Sequence, residues 1–453
     1  MRNSIVLLAL LAACAGGRPS GEAPAAGSTL AITRVHVADG TTPELRRDWT
    51  VVVRDGRIAA AGPAGAVPVP AGARVIDGAG RYLVPGLWDM HVHLNERDPH
   101  WLPLLVAHGV TGVRDVGAFR AADADSMRRE VSARGLPAPR IATAGFVVET
   151  RESLGFMEGL ATAAVATRHP TPRWSRGRLA VTTPAGAEAA ADSVVRAGGT
   201  MLKFIDSGSP EIFRALAAAA RSRNLVLVGH APQALRVASP WQALDAGQRS
   251  FEHMWGFARA LDTMTAASRT ALAARMRAQE AAYVPTLIVS GQALIPTDRF
   301  RTLVADSTGA VDPRNRWISP HERTQWAVRL GILRARDPGA AGIESYRRGY
   351  DREAAALREM HRLGIAVLPG SDLGMYLVYP GSSLHDELAL LAREAGMTPF
   401  EALRSATLAS ARWMGVADSV GSIRPGQAAD LVLLDADPLA GVANLARIRS
   451  VMV

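Results

Sequence analysis

The chain has 453 residues, 48 % of them apolar and 21 % charged, which is ordinary for a globular protein of one large domain or a few smaller ones. The net charge is +9, but the basic residues are scattered, with no like-charge run and no interleaved aromatics, so nucleic acid is not an expected partner. A single cysteine, Cys14, excludes an internal disulfide framework.

Met1-Arg2-Asn3 and then "SIVLLALLAAC" give a charged start, a short apolar run and small residues before a cut site. This predicts a signal peptide over 1–13, too short to span a bilayer as a helix. "LAAC" resembles the lipobox of bacterial lipoproteins, which implies that Cys14 is lipidated and begins the mature chain. Ala15 after it, rather than Asp, places the expected anchor in the outer membrane of a two-membrane cell. Residues 14–28 read as a flexible tether.

From 29 to 85 the text is short and strand-like, broken at Asp-Gly and Gly pairs; residues 417–453 look alike. Between them, over 86–416, apolar strands alternate with Ala/Leu/Arg helical stretches. Eight strand candidates follow in order: "YLVPGLWDMHVHL", "GVTGVRDVG", "PRIATAG", "TMLKFIDSG", "LVLVGHA", "RSFEHMW", "AYVPTLIV" and "IAVLPGSDLG". Eight βα units predict an α/β fold, a (β/α)8 TIM barrel. The long gaps at 142–199 and 291–350 are expected to be helices and loops over its mouth.

In such a barrel the strand ends converge on one mouth. The first strand ends in His91-Val92-His93, and alternation puts both imidazoles on one face. Strand four carries Lys203, five His230, six His253 and eight Asp372. Four of the eleven histidines thus end predicted barrel strands. With an aspartate and the chain's only lysine, they make a metal constellation.

The order HxH, Lys, His, His, Asp, with "VPGLWDMHVHL", "LVGHAP", "SFEHMWG" and "LPGSDLG", resembles the amidohydrolase superfamily, in particular its imidazolonepropionase-like and prolidase-like (Xaa-Pro dipeptidase) branches. The resemblance implies a small β-sandwich built from both chain ends beside the barrel. It implies that His91, His93 and Asp372 bind one metal ion and that His230 and His253 bind a second. It further implies that Lys203, carboxylated by CO2, bridges them together with a hydroxide. Zinc suits imidazole and carboxylate donors, with Mn, Co or Fe as alternatives. Asp372 would act as general base and then acid in hydrolysis of an amide or related C–N bond. The implied substrate is a small molecule such as a dipeptide or N-acyl amino acid.

A mononuclear imidazolone-type hydrolase or deaminase, a hydrolase of a different bond such as a lactone or phosphotriester, which only substrate assays would separate, and a non-catalytic binding lipoprotein stand as alternatives. Lys203 argues against the mononuclear reading, and the complete ligand set against the non-catalytic one. The carbamate also accounts for the lone lysine, because only a primary amine that can lose its proton reacts with CO2, whereas a guanidinium stays protonated.

Substrate contacts are less determined by pattern. Tyr283 reads either as a donor to a developing oxyanion or as a core residue. His385, in "GSSLHDEL", reads as a mouth residue or as part of a helix N-terminus. Arg114 and Asp115, at the end of strand two, read either as groups facing a substrate charge or as a pair with each other, and the pair is the expectation. Alternation places Glu252 away from the pocket, as a possible supporting group.

Overall fold

The computed structural model describes residues 29–94, 99–117, 120–155, 177–205, 208–232, 237–253, 255–334 and 339–453. The expected signal peptide, Cys14 and the tether lie outside them. Both chain ends meet in one seven-stranded sheet. It contains β1 (Thr29–Val37), β2 (Arg46–Arg54), β3 (Arg57–Pro63), β4 (Arg74–Asp77) and β5 (Tyr82–Pro85). After a long excursion the chain returns to it with β16 (Leu431–Leu434) and β17 (Ile448–Met452). Alternation sends Ile32, Val51 and Val53 to one apolar cluster and Ala31 and Val52 to another, so both faces are covered. This is the separate β-domain expected from the two ends, built as one continuous sheet.

The excursion is the barrel. Its strands are β6 (Leu87–Val92), β7 (Val110–Asp115), β8 (Arg140–Thr143), β9 (Val147–Glu149), β11 (Met201–Phe204), β12 (Val226–His230), β13 (Gln248–Glu252), β14 (Ala282–Val284) and β15 (Ala366–Val367). Every neighbouring pair is parallel. The third barrel position is shared: β8 pairs with β7, and β9, three residues further on, pairs with β11. A short β10 (Arg178–Ala180) adds to the outer side of β9. Closure comes from main-chain bonds between β6 and the segment after β15: Met90 N to Pro369 O (2.9 Å), Asp372 N to His91 O (2.8 Å) and His93 N to Leu373 O (2.7 Å). Glycine permits this approach, since a Cβ on Gly370 would lie 2.7 Å from the His91 Cβ.

Alternation along the strands sorts the interior from the helix layer. Leu202, Phe204, Leu227, Phe251 and Tyr283 join the large outer core, whereas Trp88, Met90, Ala282, Val284 and Leu368 cluster separately, with Met201 and Val228 in a third group. The 291–350 segment forms helices Thr297–Ala305 and Pro320–Arg334 with a 3-10 turn between them. Phe300, Val304, Ile318 and Trp326 pack on Tyr376, Leu377 and Tyr379, just beyond Asp372, so this insertion walls the barrel on its strand-eight side. Of the 142–199 segment, residues 156–176 lie outside the described residues.

Candidate metal centre

Lys203 is in phase with Met201 on β11, His230 with Val228 on β12, and Glu252 with Ser250 on β13; all are inward positions at or near the C-terminal strand ends. His91 and His93 come from the end of β6, where pairing with β7 slips between Asp89 and Val92. His253 and Asp372 each follow a strand in left-handed backbone, with φ of 62° and 57°. Non-glycine residues seldom adopt that region, and such positions gather where a site demands a particular side-chain direction.

These turns bring the rings together. His91 and His93 approach to 3.3 Å between their Nε2 atoms, and Asp372 Oδ1 lies 3.0 Å from His93 Nε2 and 3.5 Å from His91 Nε2. The ligand atoms of this trio all lie within 4.8 Å of one another, a group able to hold one metal ion. The His253 ring is centred 4.9 Å from that of His91 and 4.9 Å from that of His230, so the second pair adjoins the first trio.

Burial sets the charge states. Desolvation lowers His91 to about 3 and His253 to about 4, and takes His230 well below its ordinary value. All three imidazoles are therefore neutral near pH 7, the form that donates to a cation. Burial opposes ionisation of Asp372, but His91 and His253, which become charged in the acid range where the carboxyl titrates, and the hydrogen bond with His93 outweigh it and hold the carboxyl well below the usual range. Lys203 is 1 % exposed, and its Nζ has no hydrogen-bond partner among the described residues. Burial lowers that amine to about 8. An orphaned buried amine among neutral imidazoles and a carboxylate fits a metal site in which the lysine is completed by a further group.

Three neighbours steady these residues. His253 Nδ1 lies 2.6 Å from Thr286 Oγ1. Thr286 has φ of 47° and precedes a short helix whose Leu287 and Ile288 amides donate to buried Glu387 (3.0 and 2.8 Å). Asp89 accepts from the Ser371 amide (2.9 Å) and hydroxyl and from the His91 amide (3.3 Å), tying β6 to the residue before Asp372. Desolvation lifts Asp89 to about 7 and Glu387 to about 8. Asp89 escaped the sequence reading, although an aspartate inside the apolar run "LWDMHV" was its signal.

Four expectations are corrected. Glu252 faces the interior, and its Oε2 meets His91 Nδ1 at 2.7 Å; His253 reaches the same side because it has left the strand. Arg114 pairs with Glu252, not Asp115, because neighbours on a strand point to opposite faces. Asp115 instead accepts from the Leu94 amide (2.9 Å) and the Thr143 hydroxyl (3.0 Å). Tyr283 is a core residue, 0 % exposed and packed against Phe251 and Phe257. His385 directs Nε2 to the His108 carbonyl (2.8 Å) at the end of the helix Trp101–Ala107, with its ring centred 6.2 Å from that of His108, and so belongs to a different pair from the four histidines at the strand ends. Tyr283→Phe is accordingly expected to leave kcat within about twofold and stability unchanged or slightly raised, since it removes a buried hydroxyl without a partner among the described residues. Steady-state kinetics and chemical denaturation check both.

Comparison with known proteins agrees with this architecture. Residues 82–453 match the Amidohydrolase family. Imidazolonepropionase from Acidiphilium cryptum (strain JF-5) is 32 % identical over 143 residues, 29 % of this chain and 35 % of that protein. Imidazolonepropionase from Methylobacterium sp. (strain 4-46) is 48 % identical over 50 residues, 11 % of this chain and 12 % of that protein. The chain thus spans about a third or less of the length of these curated relatives. Among solved structures, bottromycin amidohydrolase superposes with a TM-score of 0.67 at 26 % identity, covering 94 % of this chain and 86 % of that one. A Xaa-Pro dipeptidase with bound methionine in its active site gives 0.64 at 20 % identity, covering 94 % and 98 %, a likeness of fold. With the family matched over most of its length, and a parallel barrel carrying histidines and an aspartate at its strand ends, the chain belongs to the amidohydrolase family.

Proposed function

We propose that this chain is a metal-dependent hydrolase of C–N bonds, acting on dipeptide-like or N-acyl amino acid substrates with two divalent ions, zinc foremost. The observation that carries the reading is Lys203: a buried amine with no hydrogen-bond partner among the described residues, near enough to His91, His230 and His253 to help keep them neutral. With its value lowered to about 8, an appreciable fraction is unprotonated near neutral pH, as reaction with CO2 requires. The carbamate that forms carries negative charge and two oxygen donors where a guanidinium would repel cations. His91, His93 and Asp372 would hold one ion, His230 and His253 the other, and carboxylated Lys203 both. When bound, such ions supply Lewis acidity, which activates water near neutral pH and polarises a substrate carbonyl.

Asp372 is the residue that moves the proton. Its carboxylate is ionised at working pH and sits among the ligand atoms, so it accepts the proton of the attacking water and returns it to the leaving nitrogen. The insertion packed beyond Asp372 supplies a wall where a substrate side chain is read. The neighbours named as imidazolonepropionase and Xaa-Pro dipeptidase support C–N chemistry and a small substrate.

The test is a library of dipeptides and N-acyl amino acids assayed with protein of measured metal content. The reading predicts hydrolysis of at least one class, lost on chelation and restored by zinc with bicarbonate. Hydrolysis undiminished after complete metal removal, or no turnover of any C–N bond by the metal-loaded protein, contradicts it. We further propose export and a lipid anchor at Cys14, placing the enzyme on the periplasmic side of the outer membrane. Cys14→Ser is expected to move the protein from the membrane to the soluble fraction; retention in the membrane contradicts the anchor.

A further inference from the structure

Alongside the ligand residues the barrel interior holds a buried charge pair. Arg114 on β7 is wholly enclosed, and each of its three nitrogens donates a hydrogen bond. Nε donates to the Met90 carbonyl, Nη1 to Ser250 Oγ (3.0 Å), and Nη2 to both oxygens of Glu252 (2.9 and 2.8 Å). Its planar face lies 4.9 Å from the Trp413 ring centre. Glu252 also accepts from Ser250 Oγ (2.6 Å), and its Oε2 is the atom facing His91 Nδ1 at 2.7 Å. Three strands, β6, β7 and β13, are thus joined through one carboxylate.

Chemistry fixes what that carboxylate does to the ring. An ionised carboxylate only accepts, so the His91 nitrogen facing it carries the proton. The other nitrogen, Nε2, then keeps its lone pair, and it is the one beside His93 Nε2 and Asp372 Oδ1. Without Arg114 and Ser250 the carboxylate is free to rotate and the ring to take either tautomer. A role in packing alone does not account for the pair. Elsewhere the interior is filled with Trp88, Met90, Ala282, Val284 and Leu368, and a buried ion pair is generally no more stabilising than hydrocarbon of equal volume.

We propose that Arg114 and Glu252 are positioning residues that lock His91 in the Nδ1–H tautomer with Nε2 presented to a metal ion. The proposal rests on the reading of His91 as a metal ligand. It distinguishes Glu252, which acts through His91, from the groups that would touch metal or substrate.

The test uses the full chain stripped of metal, with zinc alone as probe. Zinc affinity is measured by chelator competition, and the His91 tautomer by long-range 15N–1H imidazole spectra, assigned by the signal missing in His91→Ala. Wild type is expected to show a single Nδ1–H tautomer. Glu252→Gln is expected to mix the tautomers and weaken zinc binding about 10- to 100-fold. Arg114→Met alone leaves an unpaired buried carboxylate and is open to misfolding. The double variant Arg114→Met/Glu252→Leu removes both charges at similar volume. It is expected to melt near wild type yet show the same mixed tautomers and weakened zinc binding. A folded double variant with wild-type zinc affinity and one His91 tautomer overturns the proposal. Wild type that binds no zinc overturns the metal reading instead, and the metal-free tautomer still decides the role of the pair.

Discussion

Lys203→Met is expected to abolish turnover and, in metal-free protein, to raise stability. The two effects have one cause. In the metal-free fold the Lys203 amine is buried without a hydrogen bond among the described residues, and burial depresses its proton affinity from 10.5 to about 8. The unfolded amine therefore binds a proton that the folded one does not between about pH 8 and 10.5. That penalty, on the order of 3 kcal/mol, is carried in full below pH 8 and relieved as pH rises to 10.5. Methionine has similar length and no charge, so it removes the penalty. Metal-free wild type should gain stability between pH 8 and 10.5 relative to the variant, as denaturant titrations across that range can read. Methionine also cannot become a carbamate, so the bound metal should fall and kcat drop by at least about 10³-fold, the scale of losing a group aimed at developing charge. Lys203→Arg is expected to fail equally in catalysis, because a guanidinium stays protonated. Turnover near wild type in either variant contradicts the carbamate.

The second large effect is expected for Asp372→Asn. Asparagine keeps the shape, and it is among the residues that best tolerate left-handed backbone, which matters at φ of 57°. The main-chain bond from residue 372 to the His91 carbonyl survives the change. What is lost is the carboxylate, both as proton acceptor and as an anionic donor in the group that would hold the first ion, so bound metal is measured alongside kcat. A fall in kcat of about 10³- to 10⁴-fold is expected, with melting close to wild type. Asp372→Ala would mix this loss with backbone strain and is the less informative variant. A kcat within tenfold of wild type, at unchanged metal content, would remove Asp372 from proton transfer.

How much of this was legible in the sequence follows from range. The barrel strands were readable because apolar runs such as "LVLVG" end at turn residues, a signal a few residues long. Lys203, His91 and His230 were readable because alternation over one strand gives direction. Glu252 was misdirected because parity was carried through to His253, which has left the strand at φ of 62°. Arg114 was misassigned because its partner lies 138 positions away across the barrel, and no local rule pairs them. The same holds for Glu387, which reaches the amides of Leu287 and Ile288 a hundred residues back, and for Asp89 on Ser371. The 291–350 insertion showed its helices locally, but its docking site on Tyr376 and Tyr379 is set by packing between distant segments.

The most direct test of the central claim is anomalous diffraction at the zinc edge from crystals of the full chain grown with zinc and bicarbonate. The account predicts two peaks, one among His91, His93 and Asp372 and one at His230 and His253, with density continuing past the Lys203 amine between them. A single peak, or none, beside an unmodified Lys203 would contradict it.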